Sequence, residues 1–221
     1  MEQVPLCAAG PTSRVRETSE YAGGNALSVC RGGFAVMVVL FASMTVTAQQ
    51  KPLSPEARRL SDALAELQKK PGDSVVQEQY LRAFPHDYKS FLALFDLDRE
   101  LSDGYEFIMV LSSLSKDQEA QVGRLVVQLS KDARWDADAP NYLEYQTVVY
   151  GVQHTKTFAN LLQQLSPAEQ ANLITFCAHA ENFAAYPQFQ GLIDNLRSFG
   201  QNDLAKEFET ARAARERLNS R

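Results

Sequence analysis

From Pro52 onward, apolar residues recur at helical spacing, and nearly every interruption between them is a helix start or stop signal. That pattern predicts an all-α chain. Ser54 and Pro55 open the first helix, Leu60, Leu64 and Leu67 share one face of it, and Pro71-Gly72 ends it. Asp73 is placed to cap a second helix carrying Val76, Tyr80 and Leu81, which stops at Phe84-Pro85. A third, from about Asp87, aligns Tyr88, Phe91, Leu92 and Phe95. After a polar loop from Asp96 to Gly104 come Tyr105 to Leu114. The next helix carries Ser115 and Gln118 in a capping-box pattern, with a stripe of Val122, Leu125, Val126 and Leu129. Asp138-Ala139-Pro140 opens another through about Gly151. Helices follow at roughly 155–165, 167–183, 187–199 and 202–218, with a second capping box at Ser166 and Glu169 and Gly200 at a C-terminal cap. The expected count is about nine.

An internal echo bears on how these helices pack. Phe107, Leu111, Leu114, Ser115, Val122 and Leu125 match Phe158, Leu162, Leu165, Ser166, Leu173 and Phe176, each at an offset of 51 residues. A helix, a Ser-led turn and a second helix with the same stripe would form a hairpin that buries its face by stacking. Two arrangements stay open at this point: stacked helical hairpins and a compact irregular bundle.

The N-terminal region is of another kind. Phe34 to Met44 is an uncharged run of 11 residues, too short for a bilayer span of about 20 but the length of a signal-peptide h-region. Arg31 precedes it, and Val46-Thr47-Ala48 follows as a small-residue processing site. The expectation is residues 1–48 as a disordered extension plus signal peptide, and 49–221 as one helical domain, periplasmic or secreted and not inserted in a membrane after cleavage. Residues 1–30 make a poor n-region, being long, Gly/Ser-rich and not net basic. They suggest translation beginning nearer Val29.

Charge and cysteine narrow the function. The net charge of -5 resides after Ala48, and with no basic tract the chain is a poor ligand for nucleic acid or anionic lipid. Beyond the leader, Cys177 is the lone cysteine, so no intramolecular disulfide is available there; its apolar neighbours predict a buried thiol. The sequence has no GxSxG, Walker loop or GxGxxG, and His86, His154 and His179 are scattered without metal-ligand spacing. No catalytic residue, cofactor or metal is assigned. The aromatic series Phe84, Tyr88, Phe91, Phe95, Tyr105 and Phe107 reads as core.

The most distinctive stretch runs from Asp132 through Arg134, Trp135, Asp136, Asp138 and Pro140 to Tyr142. Its alternating carboxylates invite a Ca²⁺ interpretation, but Pro140 interrupts the alternation and no EF-hand Gly or terminal Glu completes it. Asp138 as a helix cap and Trp135 as an anchor explain the composition more simply. As candidate partner-binding residues we take Arg134, Trp135, Asp136 and Tyr142, because Trp, Tyr and Arg dominate interface hot spots. To these we add Asp96 and Asp98 of the acidic loop, which would attract a basic partner.

The segments Phe84-Pro85-x-x-Tyr88-x-x-Phe91-x-x-Leu94-Phe95 and Trp135-Asp136-Ala137-Asp138-Ala139-x-Asn141-Tyr142 together resemble a group of bacterial proteins, often exported and helical, with an FP segment early and a W-x-A-D-type loop midway. The resemblance covers about residues 80–200 and implies a bacterial source; it brings no activity and no functional residues. The expectation is an exported, non-enzymatic module that binds another protein, for example an immunity or inhibitor protein of the bacterial envelope. The alternatives are an assembly module of an envelope complex and an enzyme with a carboxylate site that sequence does not reveal.

Overall fold

In a computed structural model of the chain, the described residues are 52–95, 99–101, 104–134, 139–179 and 185–220, and they form ten α-helices with no strand among them. The chain is all-α, with ten helices instead of about nine. In order they are α1 (Pro55–Lys69), α2 (Ser74–Ala83), α3 (Tyr88–Phe95), α4 (Tyr105–Met109), α5 (Glu119–Ser130), α6 (Ala139–Gln153), α7 (Thr155–Gln163), α8 (Pro167–Cys177), α9 (Ala185–Ser198) and α10 (Asn202–Asn219). Short 3₁₀ turns at Val110–Ser113 and Lys116–Gln118 lie between α4 and α5. The leader expectation and the Asp138 cap lie outside the described residues.

Local chemistry explains most boundaries. The Ser54 hydroxyl accepts from the Ala57 amide at 3.1 Å, and Asp73 Oδ1 accepts from Val75 and Val76 at 2.9 and 3.2 Å. Ser166 and Glu169 form the reciprocal capping box at the start of α8. At the end of α9, Gly200 takes φ of +75°, its amide donates to the Arg197 carbonyl, and the next amide, Gln201, donates to Leu196. This is a Schellman cap, which needs a left-handed residue where a glycine stands.

Two expectations about helix ends are corrected. Ser115 caps nothing with its side chain. Its hydroxyl donates instead to Gln77 Oε1 at 2.6 Å, and Gln118 is buried with its amide 3.4 Å from the Ser74 carbonyl. The pair that spells a capping box therefore ties this turn to α2, and α5 opens through 3₁₀ geometry. Helix α8 stops at Cys177, short of residue 183; the Ala-rich stretch that follows contains no Gly or Pro to mark the stop.

Packing places α6 at the centre. It lies against α9 most extensively, and also against α4, α5, α7 and α8. Buried residues surround it, from Leu143 and Gln146 to Thr147, Val148 and Tyr150, as expected of a helix without a solvent face. Helices α1 and α2 pair, α9 and α10 pair, and α5 contacts α6, α7 and α8. An aromatic series of Tyr80, Phe84, Phe95, Phe91 and Phe107 fills the core near α2 and α3, with neighbouring centroids 5.1–6.0 Å apart. Tyr105 departs from the expected core set: it is 48% exposed.

The echo does not define the stacking unit. Many polar bonds between packed segments fall at separations of 37 to 44 residues, among them Met109–Gln146, Gln77–Ser115, Lys131–Glu169, Gln163–Gln201, Asn172–Lys131, Asn195–Val152 and Gln118–Ser74. The echo pairs α4 with α7, whereas α4 packs on α6, and α6 packs in turn on α9. The offset of 51 repeats a local helix–turn–helix pattern and is not the separation at which these packed segments bond.

Candidate functional site

The segment from Asp132 to Tyr142 and the acidic loop were expected to supply a recognition surface. Trp135, Asp136, Asp96 and Asp98 lie outside the described residues, so the geometry comes from their flanks. Those flanks converge. Arg99, which lies in the acidic loop just after Asp98, lines one open groove of about 680 Å³ together with Asp132 and Arg134, which precede Trp135. The floor of that groove is α3, through Tyr88 and Leu92. The Tyr88 hydroxyl donates to the Arg134 carbonyl at 2.8 Å, fixing the start of the Trp loop to α3 while leaving the Arg134 side chain exposed.

The acidic loop is held on its far side as well. Glu100 Oε2 accepts the Ser54 amide at 2.6 Å, and the Leu101 amide donates to the Leu94 carbonyl at 3.1 Å. A second open groove of about 700 Å³ lies between the start of α1 and the α2–α3 corner and shares Asp87, Ala93 and Arg99 with the first. Asp87 caps α3 by accepting from the Ser90 amide and hydroxyl at 2.9 and 2.7 Å, and those bonds lower its carboxyl below the ordinary value. Among the described residues this face is charge-mixed, since Arg59, Arg82, Arg99 and Arg134 stand beside Glu56, Asp87, Glu100 and Asp132. Tyr142 is half-buried on α6 and meets Tyr105 edge-on, with centroids 5.1 Å apart.

A different constellation, absent from the sequence expectations, surrounds His154. Its Nδ1 stands 2.9 Å from Glu119 Oε1, joining the residue that precedes α7 to the first residue of α5. The Tyr150 ring lies against the imidazole, with centroids 4.9 Å apart. Tyr150 is 4% exposed, and its hydroxyl has no hydrogen-bond partner among the described residues. Burial first, and the Glu119 carboxylate second, push that hydroxyl up to about 12. All three side chains line a cavity of about 130 Å³ that also receives Lys116, Gln146 and Gln153. Half of this was readable: Tyr150 and His154 stand one helical turn apart. Glu119 comes from another helix and left no local signal.

The remaining expected features fall as follows. Cys177 is fully buried, and burial with the nearby Glu144 carboxylate raises its thiol well above the usual range. His86 is exposed between α2 and α3, and His179 follows α8 with Nδ1 3.2 Å from the Thr175 carbonyl. Among the described residues no group of three or more His, Cys, Asp or Glu is arranged to hold a metal ion, and no helix is long and apolar enough to cross a membrane. No protein-family model, curated protein or solved structure matches the chain.

Proposed function

We propose that this chain is an exported, non-enzymatic module that binds another protein, and that the face around α3 is its docking surface. The observation that carries the proposal is the convergence of Arg99 with Asp132 and Arg134 on one open groove. The acidic loop and the Trp loop are far apart in sequence, yet their described flanks share a floor. Open, shallow grooves lined by arginine and aromatic side chains suit protein partners, which contact broad surfaces through a few anchors; most small-molecule sites are more enclosed. Export rests on the apolar run from Phe34 to Met44 and the processing pattern ending at Ala48. The mixed charge of the face argues for a partner of mixed charge, in place of the simply basic one that Asp96 and Asp98 alone would select.

The test is affinity capture by the full chain from cell envelope and culture supernatant, with Trp135→Ala, Asp136→Ala, Arg99→Glu and Arg134→Glu compared with the unaltered protein. Arg99 and Arg134 are exposed, so their variants should melt with the parent. The proposal expects one stoichiometric partner that is lost in these variants. A partner retained by all four, or lost only where melting temperature also falls, would refute this docking face.

A further inference from the structure

A third open groove, of about 550 Å³, lies over the outer face of α5. Leu81 and Arg82 of α2 border it on one side, and Leu161 of α7 with Gln164 and Leu165 of the turn into α8 on the other. It shares only Arg82 and His86 with the grooves of the α3 face, so its occupancy does not depend on that face. We infer that this groove binds an extended, acidic segment of a partner protein.

Charge is the first ground. The chain carries a net charge of -5, yet Arg82, Arg124 and Lys131 line this groove against a single carboxylate, Glu169. That carboxylate is already committed, accepting from Lys131 at 2.5 Å and from the Ser166 amide and hydroxyl at 3.0 and 2.7 Å. Arg82 reaches Glu78 at 2.6 Å. The exposed Arg124 guanidinium, at the middle of the groove, pairs with no group among the described residues. A partner carboxylate supplies what Arg124 lacks, and a basic segment would be repelled.

The polar groups beside Arg124 select a peptide. Gln121 and Gln128 flank it on α5, and their side-chain amides, like that of Gln164 across the groove, bond no group among the described residues. A primary amide offers both donors and an acceptor, matching the carbonyl and N–H of a peptide group. Along the helix axis Gln121 and Gln128 stand about 10.5 Å apart, the length of about three residues of extended chain. A strand-like segment bonded at both glutamines would carry its middle residue past Arg124, where an Asp or Glu side chain meets the guanidinium. The floor of Leu81, Leu125 and Val127 is buried and aliphatic. The lining holds no Phe, Tyr or Trp, so it lacks the platform on which nucleic-acid bases stack.

The experiment follows the fluorescence anisotropy of a dye-labelled peptide, Ser-Glu repeated four times, titrated with the full chain; alternation puts every Glu on one face of an extended segment. Saturable binding is expected, with Ser-Gln and Ser-Lys counterparts and an oligothymidylate about tenfold or more weaker. Arg124→Glu should abolish binding, and Gln128→Ala should weaken it about three- to tenfold, the effect of one hydrogen bond. Both side chains are exposed, so both variants should melt with the parent. Arg99→Glu, on the α3 face, should leave peptide binding unchanged. No saturable binding, equal binding of the Ser-Lys peptide or the oligothymidylate, or undiminished affinity in either Arg124→Glu or Gln128→Ala would overturn the assignment. So would loss of binding in Arg99→Glu alone, which would move acid recognition to the α3 face.

Discussion

Gly123→Ala offers the sharpest check on how α5 and α6 meet. In the interior of α5, alanine is favoured over glycine by about 1 kcal/mol, so propensity alone predicts a more stable protein. The structure predicts the opposite. The added methyl would stand 2.1 Å from the Tyr150 oxygen, 2.4 Å from Cζ and 2.9 Å from Cε1. All three belong to one rigid ring, which is 4% exposed and packed against His154 and Phe158. Overpacking of this kind costs about 1–3 kcal/mol, and with an intruding atom this close the upper half of that range applies. Setting the propensity gain against it leaves a net loss of about 1–2 kcal/mol, or about 2–8 °C in melting temperature for a domain of this size. Urea unfolding followed by circular dichroism measures it. The decisive comparison repeats the substitution in a Tyr150→Leu background, where the ring is gone. There Gly123→Ala should change sign and stabilise by up to about 1 kcal/mol. Equal destabilisation in both backgrounds, or a stabilised single variant, would refute the account.

Further outcomes follow from other contacts. Glu169 is held down to about 2 by the Lys131 ammonium, then by the Ser166 amide and hydroxyl. A carboxyl whose folded value lies below its ordinary 4.5 contributes stability that is complete above 4.5 and is lost as pH falls toward 2. Glu169→Gln should therefore lower stability at neutral pH and flatten the acid limb of a pH–stability curve between those values; an unchanged limb would count against the pairing. Ser166→Ala should cost about 1 kcal/mol by chemical denaturation through loss of the cap, and a cost near zero would show the box to be idle. Cys177 should resist alkylation in the native protein and react on unfolding, as read by peptide mass spectrometry, because burial keeps its thiol protonated and inaccessible.

What the sequence revealed and what it withheld divide along a physical line. Caps act within one turn, so Ser54, Asp73, Ser166 and Gly200 were readable and the helix series followed. Ser115 shows the limit: its neighbours spell a box, but a stronger bond to Gln77, on a helix placed earlier in the chain, takes the hydroxyl. Stripes of Leu and Phe show that faces are buried without showing which faces meet, so the 51-residue echo looked like the repeat while many bonds between packed segments span 37 to 44 residues. The His154 cavity was hidden for the same reason, since Glu119 meets the imidazole only through packing of α5 against α7. On the α3 face, the sequence singled out the two loops by composition, and packing added the shared groove at their flanks.

The central position of α6 has a consequence for how this chain is made. Ribosomes deliver polypeptide from the N-terminus, and the main neighbour of α6, α9, begins only at Ala185. Until that segment emerges, a helix that is buried on most of its sides has one flank bare. Synthesis that stalls between residues 153 and 185 would leave a nascent chain displaying Val148, Val152 and their neighbours, which is the kind of surface that chaperones hold and proteases find. The last two helices thus act as the latch on the whole molecule, and a truncation before Ala185 should be lost to degradation as a unit.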